Sequence, residues 1–195
     1  MDYISSACVY CGSSPHVPDV FKKAATDLGA LLARHHIRLV YGGGKTGLMG
    51  LVARAALENK GHVLGYMTTF LHGYEGGYED ITDFHLVESM HERKQHMFEN
   101  SDSFIILPGG LGTLDEAFEV MTWKQVGLHD KQIIIVDIDG YWSTLFGSVF
   151  DHMIKNGFVR EADRDLFTLV KCVEDVIDAI DHKKDRDKNF VAKWG

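Results

Sequence analysis

Phe104-Ile105-Ile106-Leu107-Pro108-Gly109-Gly110-Leu111-Gly112-Thr113-Leu114-Asp115-Glu116 is the stretch that decides the fold. Its first four residues are uninterruptedly apolar, the pattern of a short strand buried on both faces. From Ala117 to Gln125, Ala117, Phe118, Val120 and Met121 recur at helical spacing. A glycine-rich turn between a buried strand and a helix leaves backbone N–H groups unpaired at the positive end of a helix dipole. Glycine also lets a ligand approach the main chain closely. Glu116 stands in the first expected helical turn, beside this anion cradle. A cradle with one adjacent carboxylate suits chemistry on a phosphorylated sugar. The same residues admit a second reading, because Thr113-x-x-Glu116 has the spacing of a capping box. Spacing alone leaves both open.

The rest of the chain repeats the alternation. Ile4 to Tyr10 reads as a strand that ends in the small residues Cys11-Gly12-Ser13-Ser14-Pro15. Val20 to His35 is an amphipathic helix with Phe21, Ala24, Leu28, Leu31 and Leu32 on one face. Ile37 to Tyr41 is a second strand, followed by Gly42-Gly43-Gly44-Lys45-Thr46-Gly47 and a helix from about Leu48 to Asn59. A third strand runs over about His62 to Tyr66, and the polar, glycine-containing segment Phe70 to Asp83 reads as a loop or lid. Phe84 to Val87 is a short strand, and Ser89-x-x-Glu92 has capping-box spacing before the next helix. Strands over Gln132 to Ile138 and Phe167 to Val170 alternate with helices over Tyr141 to Lys155 and about Val173 to Ile180. This alternation predicts an α/β fold with a doubly wound, largely parallel sheet flanked by helices. Ligands of such sheets bind at the carboxyl ends of the strands, where all the glycine-rich loops fall. Residues 1–182 are expected to form one nucleotide-binding domain, and residues 183–195 a charged, mobile tail.

With 195 residues the chain is long enough to bury roughly 70% of its unfolded surface. Its formal charge of -8 and the lack of a basic stripe argue against nucleic acid or an anionic membrane as partner. No apolar run approaches the roughly 20 residues of a membrane span. The N-terminus lacks a basic signal-peptide start. Three cysteines, an odd number, point to a reduced, cytoplasmic protein. Cys8-x-x-Cys11 lacks the helix-start setting of a thioredoxin pair, since Cys8 falls inside the strand, so both read as buried small residues.

Several motifs are near misses. Gly44-Lys45-Thr46 looks like the end of a P-loop, but the earlier glycine would fall at Leu39. Gly42-x-Gly44-x-x-Gly47 matches a dinucleotide fingerprint, yet the next strand ends in Met67-Thr68-Thr69 with no acid for a ribose. His91 and His96 are five apart and do not share a helical face, so no metal is assigned. Arg93 and Lys94 sit near a helix start, where the dipole disfavours them, which hints at a task such as meeting a substrate anion or Glu116.

Three runs together carry a family resemblance. Pro108-Gly109-Gly110-x-Gly112-Thr113-x-x-Glu116, Met90-His91-x-Arg93-Lys94 and Gly42-Gly43-Gly44-Lys45-Thr46-Gly47-Leu48-Met49-Gly50 resemble, in order, signatures of the LONELY GUY family. These are phosphoribohydrolases that activate cytokinins and are often labelled lysine decarboxylases. The resemblance runs from about Cys8 to about Phe158. It implies a modified Rossmann fold, a homodimer, no cofactor, and a purine nucleoside 5'-monophosphate as substrate, N6-modified adenine nucleotides and AMP among them. The reaction implied is hydrolysis of the N-glycosidic bond to free base and ribose 5-phosphate.

By the same resemblance Glu116 and Arg93 are catalytic. The carboxylate would stabilise oxocarbenium charge and activate water. A guanidinium stays protonated, so Arg93 would hold the phosphate or ribose, or fix Glu116. Gly109, Gly110, Gly112 and Thr113 would contact phosphate and ribose, with Lys94 and Thr122 as further contacts. Glu75 matches a glutamate that faces the base. Gly43, Gly44 and Ser13 are assigned to the same crevice. Asp115 is treated as helix N-terminal charge. The alternatives are a non-catalytic nucleotide or molybdenum-cofactor binding protein of the same fold, and the decarboxylase label itself. Pyridoxal chemistry would require a Schiff-base lysine, and none stands in a recognisable setting.

Overall fold

The structure, a computed structural model, describes residues 4–181. The tail expected over 183–195 lies outside them. Seven strands form the sheet: β1 (Ser6–Tyr10), β2 (Arg38–Tyr41), β3 (Val63–Thr68), β4 (Asp83–Val87), β5 (Ser103–Ile106), β6 (Gln132–Val136) and β7 (Thr168–Val170). Their order is β4-β3-β2-β1-β5-β6-β7, and every neighbouring pair is parallel. The order reverses between β1 and β5, so the loops leaving those strands diverge and open a crevice at their carboxyl ends.

The centre of the sheet is apolar on both faces, which is why β1, β5 and β6 read as continuous apolar runs. Ala7, Val9, Leu39, Tyr41, Ile105 and Leu107 face one core with α1 (Asp19–Arg34), α2 (Gly47–Glu58) and α7 (Val176–Asp181). Cys8, Tyr10, Val40, Phe104 and Ile106 face the other with α4 (Met90–Glu99), α5 (Leu111–Gln125) and α6 (Phe150–Lys155). Adjacent residues of one strand thus serve opposite cores. Leu28 and Leu32 of α1 are fully buried, each contributing about 2 kcal/mol through lost apolar surface.

Four expectations are corrected. α5 begins at Leu111, with Gly110 as its N-cap, so Thr113 lies inside the first turn and caps nothing. Glycine serves well at an N-cap, and the helix therefore starts earlier than a threonine cap would allow. The segment read as a loop holds a short helix, α3 (Thr69–Glu75), capped by Thr68 Oγ1 accepting from Leu71 N–H. The helix expected over Tyr141–Lys155 is π-wound across Thr144–Val149 before α6, with Phe146 and Phe150 packed edge-on to Phe167. The last helix starts at Val176 rather than Val173.

Candidate active site

Loops from four strand ends interlock at the crevice. After β1, Gly12 N–H donates to Pro108 O across the switch point, at 3.1 Å, while Gly12 O accepts from Leu48 N–H. Ser13, exposed, accepts from Thr46 Oγ1 through its carbonyl. After β2, Gly43 O accepts from Tyr78 N–H, and Gly44 forms an isolated antiparallel bridge with Gly77. Gly43 and Gly44 are buried in this seam, beneath the loops rather than on the open surface.

Arg93 gathers these parts. Ser89 Oγ accepts from Glu92 N–H, which starts α4 and sets Arg93 on its inner face. The other half of that capping box reaches one residue further back, to Glu88 N–H. Arg93 Nε donates to Tyr66 O at 2.8 Å and Nη2 to Gly42 O at 3.0 Å. Its Nη1 donates to Glu116 Oε1 at 3.2 Å. A side chain on residue 42 would place its Cβ 1.8 Å from Arg93 Nη2, so any residue but glycine would displace the guanidinium from this seat. One planar guanidinium therefore ties β3, the first glycine loop and α5 together.

Glu116 lies in the second turn of α5, not the first, and its side chain is only 11% exposed. Burial raises its carboxyl from 4.5 to about 7, and the attraction of Arg93 opposes that rise only in part. Among the described residues Glu116 makes no capping contact; its one hydrogen-bonded partner is Arg93. A buried carboxyl poised near neutrality, in a crevice beside oriented N–H groups, has the character of a general base.

The cradle itself is built on Gly109, Gly110, Gly112 and Thr113. Thr113 is buried, and a Cβ on residue 109 would sit 2.1 Å from Thr113 Oγ1, so the turn closes only over glycine. Gly110 and Gly112 are exposed at the helix start, with nothing within 4 Å of an added Cβ. Tyr141, beyond β6, reaches over to donate its hydroxyl to Gly109 O at 2.7 Å.

Three other assigned residues stand outside the cradle. Lys94 Nζ lies 3.2 Å from Asp115 Oδ2 and 3.0 Å from Glu119 Oε1, bridging α4 to α5. Burial works against its charge, but Glu119 and Asp115 outweigh it and hold its pKa above the ordinary lysine value. That is the reverse of what a Schiff-base lysine requires. Thr122 is exposed and its hydroxyl donates to Phe118 O within α5. Glu75 is exposed at the end of α3. Sequence reasoning missed Tyr66, Gly42 as the seat of Arg93, and Tyr141. The first two act through main-chain carbonyls, which no side-chain pattern reveals. Tyr141 follows a strand end, the one signal that could have drawn it in.

Cys8, Cys11 and Cys172 are free, and burial pushes the Cys8 and Cys11 thiols far up, as expected for inert packing residues. His96 stacks on Tyr66, and among the described residues no three His, Cys, Asp or Glu side chains converge as a metal site. No helix among the described residues is long and apolar enough to cross a membrane.

Residues 49–180 match a family model described as "possible lysine decarboxylase". A cytokinin riboside 5'-monophosphate phosphoribohydrolase of Arabidopsis thaliana is 39% identical over 186 residues, 95% of this chain and 81% of that protein. A rice relative (Oryza sativa subsp. japonica) named as a probable enzyme of the same kind is 38% identical over 186 residues, 95% of this chain and 76% of its own length. Among solved structures, the molybdenum cofactor carrier protein of Chlamydomonas reinhardtii superposes with a TM-score of 0.69 at 17% identity, covering 97% of this chain and 99% of that one. That likeness shows a shared fold and nothing more. The sequence relatives, with the interlocked glycine loops and the Arg93–Glu116 pair, place the chain in the family of cytokinin riboside 5'-monophosphate phosphoribohydrolases, the LONELY GUY family.

Proposed function

We propose that this protein hydrolyses the N-glycosidic bond of purine nucleoside 5'-monophosphates, N6-modified adenine nucleotides and AMP among them. The observation that carries the reading is the buried Arg93–Glu116 pair beside the Gly109–Thr113 cradle. The phosphate binds the free N–H groups and the helix dipole, worth about half a positive charge. Cleavage builds positive charge on the ribose, and ionised Glu116 stabilises it. Glu116 takes a proton from water as the water oxygen bonds to the anomeric carbon. The base leaves with the electron pair of the broken C–N bond and takes a proton from solvent, and Glu116 then returns its own proton to solvent. Arg93 holds Glu116 and shapes the crevice wall through Gly42 and Tyr66.

Lys94 acts in this reading through α5, by fixing Asp115 and Glu119 next to Glu116. Ser13, Gly43 and Gly44 form the crevice floor and rim, and Glu75 and Thr122 reach the substrate from its edges. The working form we propose is a homodimer. In its support, Leu111 is 87% exposed, Leu128 71% and Phe118 36%, an apolar strip along and just beyond α5. Three free cysteines fit the cytoplasm as its compartment. Cofactor carriage, the other reading, has only the fold behind it.

The test is a base-release screen over AMP, GMP, CMP, UMP and N6-isopentenyl-AMP. Release of purine bases, adenine or its N6 derivative foremost, and of neither cytosine nor uracil is expected. Release from none of them would end the reading.

A further inference from the structure

The carbonyl oxygens around the cradle all have donors. Pro108 O accepts from Gly12 N–H at 3.1 Å and Gly110 O from Leu114 N–H at 3.0 Å. Between them, Gly109 O accepts from the Tyr141 hydroxyl at 2.7 Å. Among the described residues, the N–H groups of Gly109, Gly110, Leu111, Gly112 and Thr113 find no acceptor within the chain. Of the three carbonyl anchors, two are main-chain contacts and one is a side chain.

That side chain is itself braced. Asp137, whose side chain is fully buried at the end of β6, accepts from Trp142 N–H at 2.7 Å and Ser143 N–H at 3.0 Å. The Tyr141 ring packs edge-on against Phe21 at 5.4 Å and Trp142 at 4.7 Å. Only the hydroxyl is committed to the cradle.

In a trans peptide the C=O and the following N–H point in opposite directions. Whatever holds Gly109 O therefore also sets the direction of Gly110 N–H. Glycine on both sides of this peptide makes its rotation easy. Rotated, it would turn a carbonyl oxygen, partially negative, toward a bound anion. We propose that Tyr141 is a positioning residue for the substrate phosphate, locking the Gly109–Gly110 peptide with its N–H available and its carbonyl withdrawn. This rests on the phosphate-cradle reading above.

Tyr141→Phe keeps the ring packing and removes only the hydroxyl. Three measurements on the full chain test it: steady-state kinetics with AMP and adenosine, calorimetric titration with ribose 5-phosphate, and thermal melting. The expected result is a KM for AMP raised about threefold to tenfold, the span of one hydrogen bond, with kcat within about twofold. The Kd for ribose 5-phosphate and the AMP-over-adenosine preference should worsen by the same factor, with Tm nearly unchanged. Unchanged KM and Kd in the variant, with the parent active on AMP, would overturn the role of Tyr141 and leave the hydrolase reading standing. Equal losses on AMP and adenosine would show a general structural role and overturn it as well. A parent protein that neither releases adenine nor binds ribose 5-phosphate would overturn both.

Discussion

Arg93 Nη1 stands 3.2 Å from Glu116 Oε1, with both side chains almost withdrawn from solvent at 6% and 11% exposure. The remaining Arg93 contacts go to main-chain oxygens of Tyr66 and Gly42. A buried ion pair is weak evidence for stability, because desolvation offsets much of the attraction. Here desolvation prevails on the carboxylate side: burial lifts Glu116 to about 7 despite the arginine. The pair is better understood as a way of keeping a carboxylate reactive at neutral pH.

The pH dependence of activity follows. In the proposed mechanism Glu116 works ionised, so kcat/KM for AMP should rise with pH through about 7. Replacing Arg93 with methionine keeps the burial and removes the opposing attraction, so the limb in the residual activity should move to higher pH. A limb near the ordinary carboxylate range would show that another group titrates.

Glu116→Gln should lower kcat by roughly 10²–10⁴. Its stability signature has a definite sign. The folded carboxyl titrates above its unfolded value of 4.5, so the folded state binds the extra proton and stability falls as pH rises from 4.5 through about 7. The variant lacks this slope. The difference in Tm, variant minus parent, should grow more positive between pH 5 and 8. A variant with normal turnover that melts lower at every pH would show that Glu116 serves the stability of α5 and not the chemistry.

Arg93→Ala should destabilise the fold by about 3–5 kcal/mol, since it leaves Glu116 and the Tyr66 and Gly42 carbonyls without their buried partner. At roughly 2–4 °C per kcal/mol for a chain of this size, the melting shift is easily read. Arg93→Lys should not restore the activity lost with alanine. One ammonium cannot reproduce the fork that spans Tyr66 O, Gly42 O and Glu116. Recovery of activity by lysine would mean that charge alone suffices.

Gly42→Ala tests the same geometry from the opposite side. Its Cβ would press on Arg93 Nη2 at 1.8 Å, so the guanidinium must shift. Misplacement on the order of 1 Å can cost about 10²-fold in rate. Normal kcat in the alanine variant would show that Arg93 need not occupy this seat.

The fold was legible in the sequence because the central strands are buried on both faces and announce themselves as apolar runs, Phe104–Leu107 and Ile133–Val136 above all. Boundaries were less legible. α5 starts six residues before the apolar periodicity that begins at Ala117, because glycine at 110 and 112 carries no periodic signal. α3 was hidden by a polar, glycine-containing sequence whose helix buries none of its residues. The meeting of Arg93 with Glu116 was legible through its motif, yet the motif could not show that Lys94 turns to Asp115 and Glu119. Contacts made by carbonyl oxygens, such as Gly109 with Tyr141, leave almost no trace in residue identity.

The central claim is that a phosphate cradle and a buried carboxylate act on one substrate. Its most direct test compares adenosine, AMP and ATP by chromatographic detection of adenine. The acidic chain offers no general attraction for anions, so the preference must come from the cradle. AMP should exceed adenosine by about three orders of magnitude in kcat/KM, because binding energy at the phosphate is available to the transition state. ATP should be a poorer substrate than AMP. Equal efficiency on adenosine and AMP would contradict the claim and reduce the Gly109–Thr113 loop to a turn.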